Sequence, residues 1–396
     1  MNGRARALES VARRVWPPFF LASLLVVTWV LVDSFGGNVY TQIGVRMFIV
    51  LIVVLGLQIF SGNSGVLSFG HIAFMAVGAY SSALLTIPTA IKQFTYLTMP
   101  HVLKYWIFPA ELNFWQGTLA GAGFAVALAL ITAGPIVRLA GVAAGIATLA
   151  ILVIVHEFDY QTSAITRGTS TQIGVPTTTT YARTLYWALI ALGIAFAFQQ
   201  SRFGLRLRAS RENERAAKSV GVRVSLERAI AWTISGFVVG VAGALYAHAF
   251  GGTFGPDDFF FNNGINIVLL TIAMLVVGGM TSVTGAVAGC YFITVIFESF
   301  RRWEINGLGG VTPPAGTANF VLAIILLATL ILRPKGITGG KEVPWPTEWR
   351  LPRRRALQLP PLLARYRGTV AANEPAPTVE SAASPESSPA PTQPGH

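Results

Sequence analysis

The side chains with which this 396-residue chain could do chemistry are few. Its histidines stand at positions 71, 101, 156, 248 and 396, with no H-E-x-x-H or other metal-ligand spacing among them. Cys290 is the one cysteine, which excludes an intramolecular disulfide and any multi-cysteine zinc or iron–sulfur site. It sits in an apolar run, where packing suits it better than nucleophilic attack. His71 and the pair His156-Glu157 are the polar histidine contexts near apolar runs. They belong to different segments, so no nucleophile–base pair can be assembled from them. Gly339-Gly340-Lys341 is the nearest approach to a phosphate-binding loop. The first glycine of that motif would fall on Lys335, and Glu342 stands where Ser or Thr should bind magnesium. These residues argue against catalysis and against nucleotide hydrolysis by the chain itself, and they imply no cofactor.

The elements available to position polar groups are membrane-crossing helices. Of all residues, 53% are hydrophobic and 12% are charged, where an average soluble domain carries about 25% charged residues. The mean hydropathy is +0.58 and the net charge +12. A helix needs about 20 apolar residues to cross the hydrocarbon core. Ten runs qualify: 18–35, 41–60, 72–91, 114–136, 139–157, 184–200, 229–250, 265–280, 284–300 and 317–333. They are continuous, without the short alternating segments of a β-barrel. The fold expected is all-α and polytopic, with about ten transmembrane helices; the count is open only around Gly134-Pro135 and Arg138.

Three segments hold 21 of the 29 basic residues: 1–16, 201–228 and 333–367, the last including Arg353-Arg354-Arg355. If cations mark the cytoplasmic side, even numbers of spans must separate the three segments. Six before and four after the second segment satisfy this, with both termini cytoplasmic. A nucleic-acid surface is the weaker explanation of the charge, since there is no aromatic interleaving and no soluble domain to carry one. Residues 1–16 then form a basic cytoplasmic start, 17–340 a transmembrane domain, and 341–396 a cytoplasmic tail. That tail is basic at first and then rich in Pro and Ser, a composition that cannot bury a core. The first apolar run ends in Asp33-Ser34-Phe35 without a small-x-small cleavage site, so it reads as an uncleaved helix.

Charged residues in or near the spans lie toward their ends: Asp33, Arg46, Arg138, Glu157, Asp159 and Glu298. Snorkelling or interfacial anchoring is the favoured reading for all six; Arg46 and Glu298 fit it least and could face a polar cavity. Few charges mid-span count against a stand-alone ion-coupled carrier, which needs ionisable groups there. Two polar stretches remain. Residues 61–71, SGNSGVLSFGH, place Ser61, Asn63, Ser64, Ser68 and His71 between two apolar runs. They form either a cytoplasmic turn or a broken, re-entrant segment after helix two, satisfied by protein or by water. Loop 201–228 holds a helical stretch, Arg211 to Val220, with Gly221 as its stop. It is either a solvated surface helix or a peg for a partner's groove.

These stretches also carry a family resemblance. Residues 55–86, LGLQIFSGNSGVLSFGHIAFMAVGAYSSALLT, resemble the signature of LivM-type permeases of bacterial ABC importers for branched-chain amino acids. SRFGLRLRASRENERAAKSVGV at 201–222 is similar to their cytoplasmic coupling segment. AWTISGFVVGVAGALYAH at 231–248, GGMTSVTGAVAG at 278–289 and RPKGITG at 333–339 follow in the family's order. The resemblance implies a permease in the bacterial inner membrane, paired with a second, LivH-like permease. It further implies two cytoplasmic ATPase subunits that bind the ATP, a periplasmic substrate-binding protein, and an amino-acid substrate. Arg211, Glu212, Glu214, Arg215, Ala216, Ala217 and Gly221 would couple to the ATPases, and Ser61, Asn63, Ser64, Ser68 and His71 would border the translocation path. Similar permeases carry urea or aromatic acids, which are the alternative cargoes. Small-xxx-small pairs at Gly141/Gly145, Gly236/Gly240 and Gly285/Gly289 read as helix-packing sites. Loops 166–176 and 252–264 would face the binding protein.

Overall fold

A computed structural model describes residues 3–260, 267–307 and 313–344 of the chain. The tail beyond 344, with Arg353-Arg354-Arg355, and residues 261–264 of the second loop lie outside the described residues. Among the described residues the regular elements are helices, beside one isolated bridge between Gln172 and Phe254. In chain order they are α1 (Gly3–Phe35), α2 (Gly37–Leu57, prolonged by a π-helical turn, Gln58–Gly62), α3 (His71–Thr86), α4 (Thr89–Thr95) and α5 (His101–Ile107). There follow α6 (Phe114–Arg138), α7 (Gly141–Gln161), α8 (Ser163–Thr166), α9 (Tyr181–Gln200), α10 (Arg202–Glu212) and α11 (Glu214–Ser219). The last four are α12 (Val224–Ala247), α13 (Ile267–Gly278), α14 (Val283–Asn306) and α15 (Thr317–Leu332).

Each of the ten apolar runs becomes helical. Seven of the described helices are long and apolar enough to cross a bilayer, α3 and α4 qualify together as a pair bent by 112°, and α13 and α15 are shorter apolar helices. The ambiguous stretch 114–157 resolves into two helices. Pro135 falls in the last turn of α6, and Leu139-Ala140 are extended, so the chain leaves α6 just beyond the proline. The basic start does not form a separate element. Helix α1 runs unbroken from Gly3 through Pro17 and Pro18 into the first span.

Helix ends gather at two levels. At one, termed the base, the end of α2 meets α10, the end of α6 meets the start of α12, and the end of α9 meets residues 341–343 and the start of α14. At the far end, Thr179 donates to the carbonyl of His248 (3.0 Å) and Gln172 to that of Phe254 (2.7 Å). The loops around 172 and 254 therefore pack on each other. Among the described residues, successive apolar helices run alternately between the two levels, giving ten passages if the bent pair and the shorter α13 and α15 are each counted as one. Of the seven long helices, α2 and α12 are the most enclosed; from Met47 to Leu57 α2 is apolar on every face and buried, as such a stretch should be. Helices α1, α6, α7 and α15 turn Val27, Ile131, Ile154 and Ile331 outward, the apolar coat a bilayer requires.

Close approach depends on missing side chains. A Cβ on Gly243 would lie 1.9 Å from the Met75 carbonyl oxygen, and one on Gly289 would lie 1.9 Å from that of Met274. Gly236 and Gly240 press on Ala129 and Ala125 of α6. Gly141 differs from this pattern: it opens α7 at φ +58° with nothing near it, a turn residue and not a packing site. We predict opposite signs for two alanine substitutions read by thermal unfolding in detergent. Gly243→Ala should destabilise by about 1–3 kcal/mol through overpacking. Gly123→Ala, in an open part of α6, should stabilise by about 0.5–1 kcal/mol because alanine loses less backbone entropy.

Candidate functional site

The third passage is composite. Helix α2 ends in a π-turn at the base, and residues 63–70 then climb back into the protein before α3 begins. Their depth follows from what they touch. The Phe69 amide donates to Thr148 Oγ1 (3.1 Å), and His71 Nε2 lies 2.6 Å from Ser235 Oγ. Thr148 is seven residues into α7, and Ser235 eleven into α12, so His71 stands roughly 10–16 Å above the base. The serine–glycine stretch is therefore a buried break in a crossing, not a solvent-exposed turn. A second discontinuity, the 112° bend, follows at Ile87–Pro88.

Polar side chains hold this break. Ser68 Oγ is 2.8 Å from His71 Nδ1 and accepts from the Gly70 amide, while Ser64 Oγ accepts from the Val66 amide. Both ring nitrogens of His71 are thus engaged inside the protein, and Phe60, Phe74 and Trp232 surround the ring. Asn63 donates to the carbonyls of Gln58 and Ile59. Beside these satisfied groups lie unsatisfied ones: both amide atoms of Gln58, Ser61 Oγ and Asn63 Oδ1 are buried with no partner among the described residues. The five residues singled out in the sequence are therefore together but unequal. Ser64, Ser68 and His71 secure the backbone, and Ser61 and Asn63, joined by Gln58, leave polar atoms available. Gln58 stood in the sequence as one amide within an apolar run; its π-turn had no visible signature.

The second stretch lies directly beneath. A single helix from Arg211 to Val220 was expected, but Asn213 divides it. Asn213 is extended (φ −153°, ψ 102°); its amide closes α10 and its side chain caps α11 by accepting from the Ala216 amide (3.0 Å). Asparagine is among the best N-caps, so Arg211 and Glu212 belong to α10, while Glu214, Arg215, Ala216 and Ala217 belong to α11. Gly221, at φ +84°, ends the segment as expected. Ala217 is buried; Arg215, Ala216, Ser219 and Val220 are exposed, Val220 at 79%.

The two stretches are joined. Arg211 Nη1 donates to the carbonyl of Gly62 (3.0 Å), and its aliphatic part lies over Gly65. Gly65 sits at φ +75°, and a Cβ there would meet Arg211 Cγ at 2.5 Å, so only glycine permits the contact. Glu214 ties α11 to α12 through Arg228 (2.9 Å), a buried guanidinium that also reaches the Leu139 carbonyl between α6 and α7. Lys218 (2.7 Å) and Arg228 together hold the Glu214 carboxyl below the usual carboxylate range. Arg208 donates to the Gln199 carbonyl, and the Gln199 side chain donates to Glu342 (2.9 Å). Glu342, which had only spoiled a phosphate-loop motif, caps α14 by accepting from the amides of Val283 (2.8 Å) and Thr284 (3.0 Å). A carboxylate at a helix N-terminus meets unpaired amides and a favourable dipole.

Residues 39–330 match the family model described as branched-chain amino acid transport system, permease component, and the chain belongs to this family. It is 26% identical to the high-affinity branched-chain amino acid transport system permease protein LivM of Escherichia coli, over 80% of this chain and 74% of that protein. It is 31% identical to the LivH protein of Methanocaldococcus jannaschii over 40% of this chain, a match spanning about half (48%) of that relative. It is 28% identical to the autoinducer 2 import system permease protein LsrC of Salmonella typhimurium, over 36% of this chain and 39% of that protein.

The ion pairs of α11 predict local loosening. Glu214→Gln removes the charge that faces buried Arg228, a loss of about 1–3 kcal/mol for a charged hydrogen bond. Limited trypsin digestion should then cut after Arg215 and Lys218 several times faster, with the membrane helices intact. Because the Glu214 carboxyl is depressed in the folded protein, its contribution is complete above the ordinary glutamate range. Acidification through the depressed value should reproduce the loosening in the unsubstituted protein.

Proposed function

We propose that this multi-pass membrane protein is the permease subunit of an ATP-driven importer for branched-chain or related amino acids, and that it does no chemistry of its own. In this reading it lies in a bacterial inner membrane with the base and both termini cytoplasmic. The cations of 201–228 that gather there support that orientation. Its partners are a LivH-like second permease, two ATPase subunits that bind the ATP, and a periplasmic binding protein that meets the far-end loops. Substrate passes by alternating access.

The observation that carries the proposal is the Arg211–Gly62 bond, which joins an exposed arm at the base to the broken crossing. The ATPases dock on the open side of α11, at Arg215, Ala216 and Val220. Glu212 and Gly221 set the limits of the arm. Movement of the arm reaches α12 and the α6–α7 junction through Glu214 and Arg228. It reaches the third passage through Arg211. Non-helical backbone at membrane depth is tolerated only inside protein or beside a water-filled path, and Gln58, Ser61 and Asn63 offer that path unsatisfied polar atoms. Ser64, Ser68 and His71 keep the break in shape.

Reconstitution with the ATPases, the second permease and the binding protein tests the reading. ATP-dependent leucine uptake is expected, and Arg211→Ala should lower it by about tenfold or more, the scale of one lost charged hydrogen bond, while the complex still assembles. Uptake by this chain alone, driven by an ion gradient, would overturn the reading. So would full ATP-dependent uptake by Arg211→Ala.

A further inference from the structure

Two charges that fitted interfacial anchoring poorly share one pocket. Arg46 of α2 and Glu298 of α14 line it with Ile43, Met47, Thr294 and Phe297. Arg46 is nine residues from the start of α2 and Glu298 eight from the end of α14; Arg46 meets Phe250 just beyond the end of α12, so the pocket lies at the level of the far-end loops. The cavity measures about 40 Å³. Beside it, across Leu270 and Phe297, lies an apolar cavity of about 270 Å³ walled by Leu269, Ala273, Leu322 and Leu326.

The charges are not matched. Glu298 is already bound by Arg302 (3.3 Å) and Arg301 (3.7 Å) of its own helix, and Arg302 also lies over Tyr40 (4.6 Å). Arg46 stacks over the Phe250 ring at 5.1 Å and has no hydrogen bond or ion pair among the described residues. Asp258 is the other carboxylate whose field reaches it, so three guanidinium groups face two carboxylates. With Glu298 already engaged by Arg301 and Arg302, the guanidinium of Arg46 at the edge of an apolar cavity is best answered by a further anionic group. Its planar fork suits a carboxylate, which it binds by two parallel hydrogen bonds.

We propose that this pocket is a subsite for the carboxylate of the cargo, with Arg46 as its receptor and the apolar walls of Leu270, Met274 and Phe297 against the cargo's side chain. A few placed polar groups in an otherwise apolar cavity is the usual build of a small-molecule site. The proposal rests on the reading of the chain as an amino-acid permease. It adds that the permease itself, and not only a binding protein, senses the acid group.

The test uses the assembled permease–ATPase complex without binding protein, so that this pocket is read directly. Thr294→Cys in a Cys290→Ala background places one reporter thiol in the cavity for maleimide alkylation. Leucine should protect it at concentrations about tenfold lower than leucinamide, the ratio that one charge-assisted contact supplies. Arg46→Gln should abolish the difference, Arg46→Lys should restore part of it, and Glu298→Gln should leave it in place. Equal protection by leucine and leucinamide with Arg46 intact, or a preference that survives Arg46→Gln, would overturn the subsite. Leucine uptake by the full complex is scored separately. Uptake with no carboxylate preference in the pocket removes the subsite alone, whereas absence of both uptake and protection removes the permease reading with it.

Discussion

Six residues of non-helical backbone, 65–70, lie inside a protein whose surroundings offer no water to satisfy them, and much of the packing answers that constraint. Each unpaired amide or carbonyl in such a place costs several kcal/mol. Thr148 reaches across from α7 for the Phe69 amide, Ser64 and Ser68 supply acceptors for amides within the segment, and His71 bridges Ser68 to Ser235 of α12. The aromatic cage of Phe60, Phe74 and Trp232 fixes the imidazole that makes this bridge. Glycines let the neighbours come close: Gly70 against the Thr148 carbonyl, Gly62 against that of Met280. An apolar protein concentrates its polar side chains where the helix is interrupted because nothing else can pay that debt.

The base has a different logic. Apart from buried Arg228 and Glu227 its charges are half-exposed or exposed, and isolated surface pairs would contribute little. Here they converge on backbone. Arg211 binds the Gly62 carbonyl, Arg208 that of Gln199, and Arg228 that of Leu139, each at a helix end where carbonyls lack intrahelical partners. The cations that mark one side of the membrane therefore also close the ends of α2, α9 and α6. Because α10 and α11 are separate helices, the arm has a joint at Asn213, with Arg211 fastened on one side of it and Glu214 on the other.

The passages were legible in the sequence because a span of some twenty apolar residues is a long, coarse signal. So was the polar break, since eight small or polar residues of 61–71 interrupt it. What escaped was short-range geometry. Nothing in Arg211–Val220 outweighed its helix formers except Asn213, whose capping preference competes with them only when the chain folds. The π-turn at Gln58 has no composition of its own. Arg211 meeting Gly65, and Glu342 meeting Val283, join residues about 146 and 59 positions apart, pairings that no local pattern encodes. Arg46 and Glu298 were visible as misfits, but their common pocket needed three helices to be set side by side.

Glu342 also says something about the order in which the molecule can be completed. Helix α14 begins at Val283, yet the carboxylate that satisfies its first amides belongs to a segment made some sixty residues later. The same late segment lies over the α13–α14 turn, where Ile337 and Thr338 donate to the carbonyls of Val277 and Gly278. Chains emerge from the ribosome N-terminal end first. The α13–α14 hairpin, capped from within by Ser282 at the Gly285 amide alone, thus gains the acceptor for its first two amides only after α15 has followed. The base is thus fastened by a strap whose attachment points were synthesised before it.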